Sequence, residues 1–164
     1  GLGYSPQAGF EAFFARRASQ EGKPFVELED PVAVLGSLMS LPLPLQFQAL
    51  AQTFEDQGRA PELLGKMLSL WYAGDAEALF AASIEDMASL EDAALLQDTL
   101  FDRRNGVMTK ALLPLLESGK TTFAMVGAGH LGGPKGMLAM LREAGYAPVQ
   151  LSLGGDPLTP RAIP

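Results

Sequence analysis

The sequence predicts an α/β fold: one helix-rich domain with a small, mixed or parallel sheet. Three observations point that way. Residues 31–119 carry only helical patterning. A short apolar segment, 25–28, precedes this block. Two more apolar segments, 121–126 and 148–153, flank a glycine-rich turn and a single helical stretch after it. A right-handed crossover would make those two segments parallel neighbours.

Taken in order, 6–22 reads as a helix, with Phe10, Phe13, Phe14 and Ala18 at helical spacing and Gly22 as the stop. Phe25 to Leu28 follows Pro24 as the first strand candidate, which places Glu27 and Glu29 on one face by the period of two. The helical block is punctuated by Pro42, Pro44, Gly58, Pro61 and Gly74, and Asp75 suits the N-cap of a helix running through Leu79 and Ile84. From Asp92 to about Glu117 runs a longer helical stretch that Pro114 is expected to bend or break. Thr121 to Val126 is β-branched and apolar on both faces, the pattern of a buried strand. Met137, Leu138 and Leu141 line a last helix, ended by Gly145, before the final strand at 148–153. Residues 1–153 form the domain, and 154–164, with three prolines, form an exposed tail.

With 164 residues, 48% hydrophobic and 19% charged, the chain has the composition of a globular domain. A net charge of −7 and 12 Lys plus Arg without a basic cluster exclude nucleic acid as a partner. The absence of cysteine removes disulfides, thiolate metal sites and thiol nucleophiles. No uninterrupted apolar run approaches ~18 residues, so no membrane span is expected, and no signal peptide is visible. The chain starts at Gly1 rather than Met, so a preceding segment is expected.

Chemistry concentrates in Val126-Gly127-Ala128-Gly129-His130-Leu131-Gly132-Gly133-Pro134-Lys135-Gly136. Gly127-x-Gly129-x-x-Gly132 matches a dinucleotide fingerprint between strand and helix, with Asp156 at about the distance of a ribose-binding acid. Too little chain follows for the further βα units that fold requires, and Gly133 to Gly136 delay the helix that should meet the pyrophosphate. His130, the one histidine, is the better candidate. A lone histidine in a turn is most often merely satisfied, but the end of a buried strand faces the crevice where ligands bind. Gly127 and Gly129 leave room beside it.

The pattern Gly127-Ala-Gly129-His130-Leu131-x-Gly133-x-x-Gly136, followed by Leu141 and Gly145-Tyr146, resembles the C-terminal signature of the TraB/GumN family, relatives of the Tiki metalloproteases. Gly22 to Glu29, Trp71 with Gly74-Asp75, and Arg104-Asn105 resemble further family elements in family order. Asp30 stands where the family usually has Thr, and Arg103 where an acid often precedes the Arg-Asn pair. The resemblance implies a divalent-metal hydrolase of peptidase type, with Mn, Co or Zn activating a water.

On that reading His130 is a metal ligand or base, and Gly127, Gly129 and Gly133 support its turn. Arg104 stabilises negative charge or orients a carboxylate, Asn105 orients a ligand, and Glu29 points into the site. Each has an ordinary structural alternative as a solvated, capping or paired residue. The family's first Gly-x-x-His motif would lie before Gly1, and one imidazole does not hold a divalent ion, so the chain alone is not expected to catalyse. The expected partners are a peptide or protein substrate and the N-terminal half or a second copy, the latter through an unpaired sheet edge giving a homo-oligomer. The resemblance also implies a periplasmic or cell-envelope location. The alternative is a non-catalytic envelope binding module.

Overall fold

The computed structural model describes residues 9–151. Its α-helices are α1 (Phe10–Gln20), α2 (Pro31–Met39), α3 (Leu43–Glu55), α4 (Ala60–Ala73), α5 (Ala76–Glu85), α6 (Ala93–Gln97), α7 (Arg103–Glu117) and α8 (Met137–Glu143). Single 3-10 turns at Asp56–Arg59 and Asp86–Ser89 join α3 to α4 and lead out of α5.

Local chemistry sets the helix ends. Gly22, at φ 63°, follows the end of α1. Asp30 caps α2 by accepting from the Val32 amide at 2.8 Å, and Pro31 fills the first turn, where its missing N–H costs nothing. Asp and Thr both cap helices, so the Asp30 departure from the family pattern preserves the same local chemistry. At the Trp71–Asp75 corner, Gly74 ends α4 in the left-handed region and Asp75 starts α5 by accepting from the Ala78 amide at 2.9 Å. Asp75 is thus the N-cap its sequence position suggests.

The expected sheet is not there. Among the described residues no strand forms, and the domain is all-α rather than α/β. Residues 23–27, 121–127 and 146–150 are irregular chain that forms no ladder among the described residues, Leu151 carries only an isolated bridge, and residues 152–153 of the third segment lie outside the described residues. β-Branched, apolar composition reports a preference for pleated, half-buried backbone; it does not supply the partner backbone a ladder requires. The side chains agree, because Phe25, Val26, Phe123, Val149 and Leu151 are exposed. Leu28 and Val126 instead pack inward, against the core of Met108, Leu112 and Met137 where α7 meets α8. Without a sheet, the argument for oligomers through a sheet edge loses its basis.

Pro114 does not break α7, which runs on to Glu117. The irregularity lies upstream, where Asp98–Asp102 forms a π-helical turn between α6 and α7. Such a turn inserts an extra residue and rotates everything after it relative to the preceding turns. The residues it re-aims are Arg103, Arg104 and Asn105.

Candidate functional site

Asn105 is the anchor of the site. It has 0% exposure on the inward face of α7, one residue into the helix after Arg104. Its Nδ2 donates to the Lys135 carbonyl at 2.8 Å, and its Oδ1 lies 2.7 Å from Nδ1 of His130. The Lys135 carbonyl can only accept, so the amide must turn its NH₂ that way and its oxygen toward the imidazole. Nδ1 of His130 therefore carries the proton, and Nε2 of the neutral ring keeps its lone pair.

His130 itself is 9% exposed, at the end of a short 3-10 turn, Ala128–His130, whose amide bonds back to the Gly127 carbonyl at 2.9 Å. Phe101, from the π turn, lies 5.4 Å from the imidazole centroid, and Phe80 of α5 meets Phe101 edge-on at 5.6 Å. Burial in these surroundings pushes the imidazole below its ordinary pKa. The Arg104 charge pushes the same way, and Glu29 opposes both.

Arg104 grips Glu29 as a fork. Its Nε donates to Oε2 at 3.0 Å and its Nη2 to Oε1 at 2.5 Å, while Nη1 donates to the Leu100 carbonyl at 3.1 Å in the π turn. All three nitrogens are thereby engaged. Of the two roles expected for Arg104, orienting a carboxylate is the one this geometry displays. Hydrogen bonding to Arg104 holds the Glu29 carboxyl below the usual carboxylate range, aided by charge and opposed by burial. The chain bends at residues 28–29, so Glu27 and Glu29 do not share a strand face; Glu27 is exposed and only Glu29 turns in.

The four side chains singled out from the sequence, Glu29, Arg104, Asn105 and His130, thus occupy one neighbourhood. The three supporting glycines act differently from one another. A Cβ on Gly127 would touch the His130 ring at 3.4 Å, and one on Gly129 would meet Phe101 and the Ser83 hydroxyl at 3.4 Å. Gly133 sits at φ 85° with the Phe80 ring where its Cβ would be.

Sequence reasoning missed several parts. Gly132 is pressed onto the backbone of Ala76 and Glu77. Glu77 accepts from the Gly133 amide at 2.8 Å, placing the protein's own carboxylate where a nucleotide phosphate would have to sit. Lys135 pairs with Asp102 at 3.0 Å, tying the turn to the π segment. The doubled Gly132-Gly133 was visible in the sequence, but nothing there paired Glu77 or Phe101 with the turn.

A divalent ion needs about three protein donors. Among the described residues no group of three His, Asp or Glu comes together, and both Glu29 oxygens are held by Arg104. Nε2 of His130 suits one ligand position, but these residues do not make up a metal site by themselves.

The described residues thus form an all-α domain with one buried imidazole held against Asn105. The chain belongs to the TraB/PrgY/gumN family, whose model matches residues 1–150. Searches among curated proteins and among solved structures give no match.

The electrostatics make a pH prediction. The folded-state pKa of His130 is depressed, so below about pH 6.5 the unfolded chain takes up this proton before the native one does. Stability should therefore fall as pH drops from about 6.5 toward the folded pKa of His130. The Glu29 contribution is present above about pH 4.3 and is lost as pH falls through its own depressed value. The sequence has one histidine, so urea midpoints between about pH 7.5 and 5.5 isolate its share. A flat midpoint across that range would contradict the buried neutral ring.

Proposed function

We propose that this chain contributes the base side of a peptidase-like hydrolytic site, with Nε2 of His130 as the acting atom. The observation that carries the proposal is the chain His130 Nδ1, Asn105 Oδ1, Asn105 Nδ2, Lys135 carbonyl, which leaves Nε2 as an acceptor. A neutral ring with a lowered pKa remains competent to take a proton from water near neutral pH. As Nε2 accepts that proton, the ring becomes an imidazolium, and the Glu29 carboxylate partly offsets its charge across the Arg104 fork. Asn105 and Arg104 act as positioning residues in this scheme.

The described residues supply one imidazole and no further group of metal-ligand side chains beside it. By itself the chain is expected to be inert toward peptides. The full occupancy of the Glu29 oxygens favours a second reading, a family domain in a cell-envelope setting that binds a partner without catalysis.

Nitrogen-15 NMR of the histidine ring tests the proposal, since a single histidine gives an unambiguous signal. The expected result at neutral pH is a protonated Nδ1 and an unprotonated Nε2. In an Nε2–H ring the lone pair would sit on Nδ1, facing Asn105, and Nε2 could accept neither a proton nor a ligand, so finding that tautomer would sink the hydrolytic reading. So would chelator-sensitive peptide hydrolysis that persists in His130→Ala.

A further inference from the structure

Against the turn that carries His130 lies a cavity of about 330 Å³ that the site described above leaves unused. The corner between α4 and α5 contributes Trp71 and Leu79, and the turn itself contributes Ala128 and Leu131. From α8 come Leu138 and Arg142, four residues apart and so on one face of the helix. Val149 and Gln150 complete the lining. Gln150 is fixed there, because its Nε2 donates to the Gly74 carbonyl at 2.7 Å, and a Cβ on Gly74 would collide with that nitrogen. Trp71 and Val149 line the cavity yet remain exposed, so it opens to solvent.

A mostly apolar cavity with a few polar groups turned into it is the usual form of a small-ligand site. Here those groups are not equally free. The Asp75 carboxylate is already engaged, accepting from the Ala78 amide as the cap of α5. Gln150 commits its NH₂ to Gly74, which leaves its amide oxygen as an acceptor. Arg142 is exposed and has no ion-pair partner among the described residues. A second, more polar cavity of about 250 Å³ gives the contrast. Arg59 and Lys66 line it, and each already faces an acid, Asp56 at 3.1 Å and Glu85 respectively. Only the first cavity offers an unanswered cation beside apolar walls.

We propose that this cavity binds the C-terminal residue of a peptide, its apolar side chain against Trp71, Leu79, Leu131 and Leu138 and its carboxylate on Arg142. Three observations select that occupant. A guanidinium is a rigid two-pronged donor matched to a carboxylate, and this one is uncommitted. The Gln150 oxygen adds an acceptor for the N–H of the same residue, a group that a fatty acid lacks. The volume lies at the lower end for ligand sites, which suits one side chain and its backbone better than a long acyl chain. The choice of a peptide rests on the peptidase-like reading; the cavity itself does not use the His130 side chain. Ala128 and Leu131 flank Gly129 and His130 in the chain, so an occupant would touch the turn that carries the imidazole.

The chain has one tryptophan and it lines the cavity, so its fluorescence reports binding without a label. Acetyl-Ala-Leu with a free carboxylate, titrated into the whole chain, should change the emission saturably with a Kd of about 1 mM or tighter. The C-terminal amide of the same peptide should bind about tenfold more weakly, the share of one charge-assisted contact. Arg142→Gln, at an exposed position, should erase the difference between acid and amide with an unchanged circular dichroism spectrum. Val149→Glu, also exposed, sets a like charge in the lining; it should weaken the acid more than the amide, and it serves if Arg142→Gln misfolds. No saturable change, equal affinity for acid and amide, or an acid preference that survives both variants overturns the proposal. So does octanoate binding more tightly than the peptide, which would assign the cavity to a fatty acid. None of these outcomes reads the His130 tautomer, so this proposal and the hydrolytic reading fail separately.

Discussion

Asn105→Ala is expected to remove roughly 2–4 kcal/mol of stability, because it strips the partner from the buried Nδ1–H of His130 and a second, part-buried bond to the Lys135 carbonyl. A domain of this size holds about 5–15 kcal/mol in total, so this one substitution removes a substantial share of it. Urea midpoints read the loss. The sharper readout is the imidazole. Without the amide oxygen nothing selects the Nδ1–H form, and the ring nitrogens should report a mixture of tautomers. A merely space-filling asparagine would move the midpoint and leave the tautomer alone.

Asn105→Asp separates the two functions of the amide. The carboxylate still accepts from Nδ1–H, and its charge beside the ring should raise the His130 pKa, opposite to the effect of burial and Arg104. Its second oxygen now faces the Lys135 carbonyl, acceptor against acceptor, so the turn should loosen even though the histidine contact persists. An Asp variant with wild-type stability would mean the Lys135 bond contributes nothing.

The route by which sequence led to this neighbourhood explains what it missed. His130, Arg104, Asn105 and Glu29 were legible as residue types within a family pattern, and Asp75 as a cap, because each signal is local. The sheet was inferred from composition at 25–28, 121–126 and 148–153, yet pairing is a property of two segments and composition describes one. The π turn at Asp98–Asp102 left no signal, since Asp98-Thr99-Leu100-Phe101-Asp102 reads like any helical stretch. That turn presents Leu100, Phe101 and Asp102 to Arg104, His130 and Lys135 respectively. Pro114 drew attention as the breaker, but a proline forfeits one hydrogen bond and clashes with one carbonyl, and α7 absorbs it between the core contacts of Leu112 and Leu116.

Gly132→Ala should be far more damaging than Gly129→Ala, costing about 3 kcal/mol or more, at the upper end of overpacking penalties. The added methyl would overlap the Ala76 carbonyl and press on the Glu77 Cα at 3.0 Å. Each of these atoms is α5 backbone, which has no rotamer to give way. The first turn of α5 is pinned by the Asp75 cap at 2.9 Å, and the glycine turn is pinned to it by the Gly133 amide on Glu77 at 2.8 Å. Relief therefore requires the turn to lift from α5, taking with it the Lys135 carbonyl that orients Asn105. Gly129→Ala offers the contrast, since its methyl meets only the Phe101 ring and the Ser83 hydroxyl at 3.4 Å, side chains that can shift. The expected order of urea midpoints is wild type, then Gly129→Ala, then Gly132→Ala, with the His130 ring signal disturbed most in the last. Equal midpoints for the two alanine variants would show that the turn is not seated on α5, and the fixed position of His130 would then lack its support.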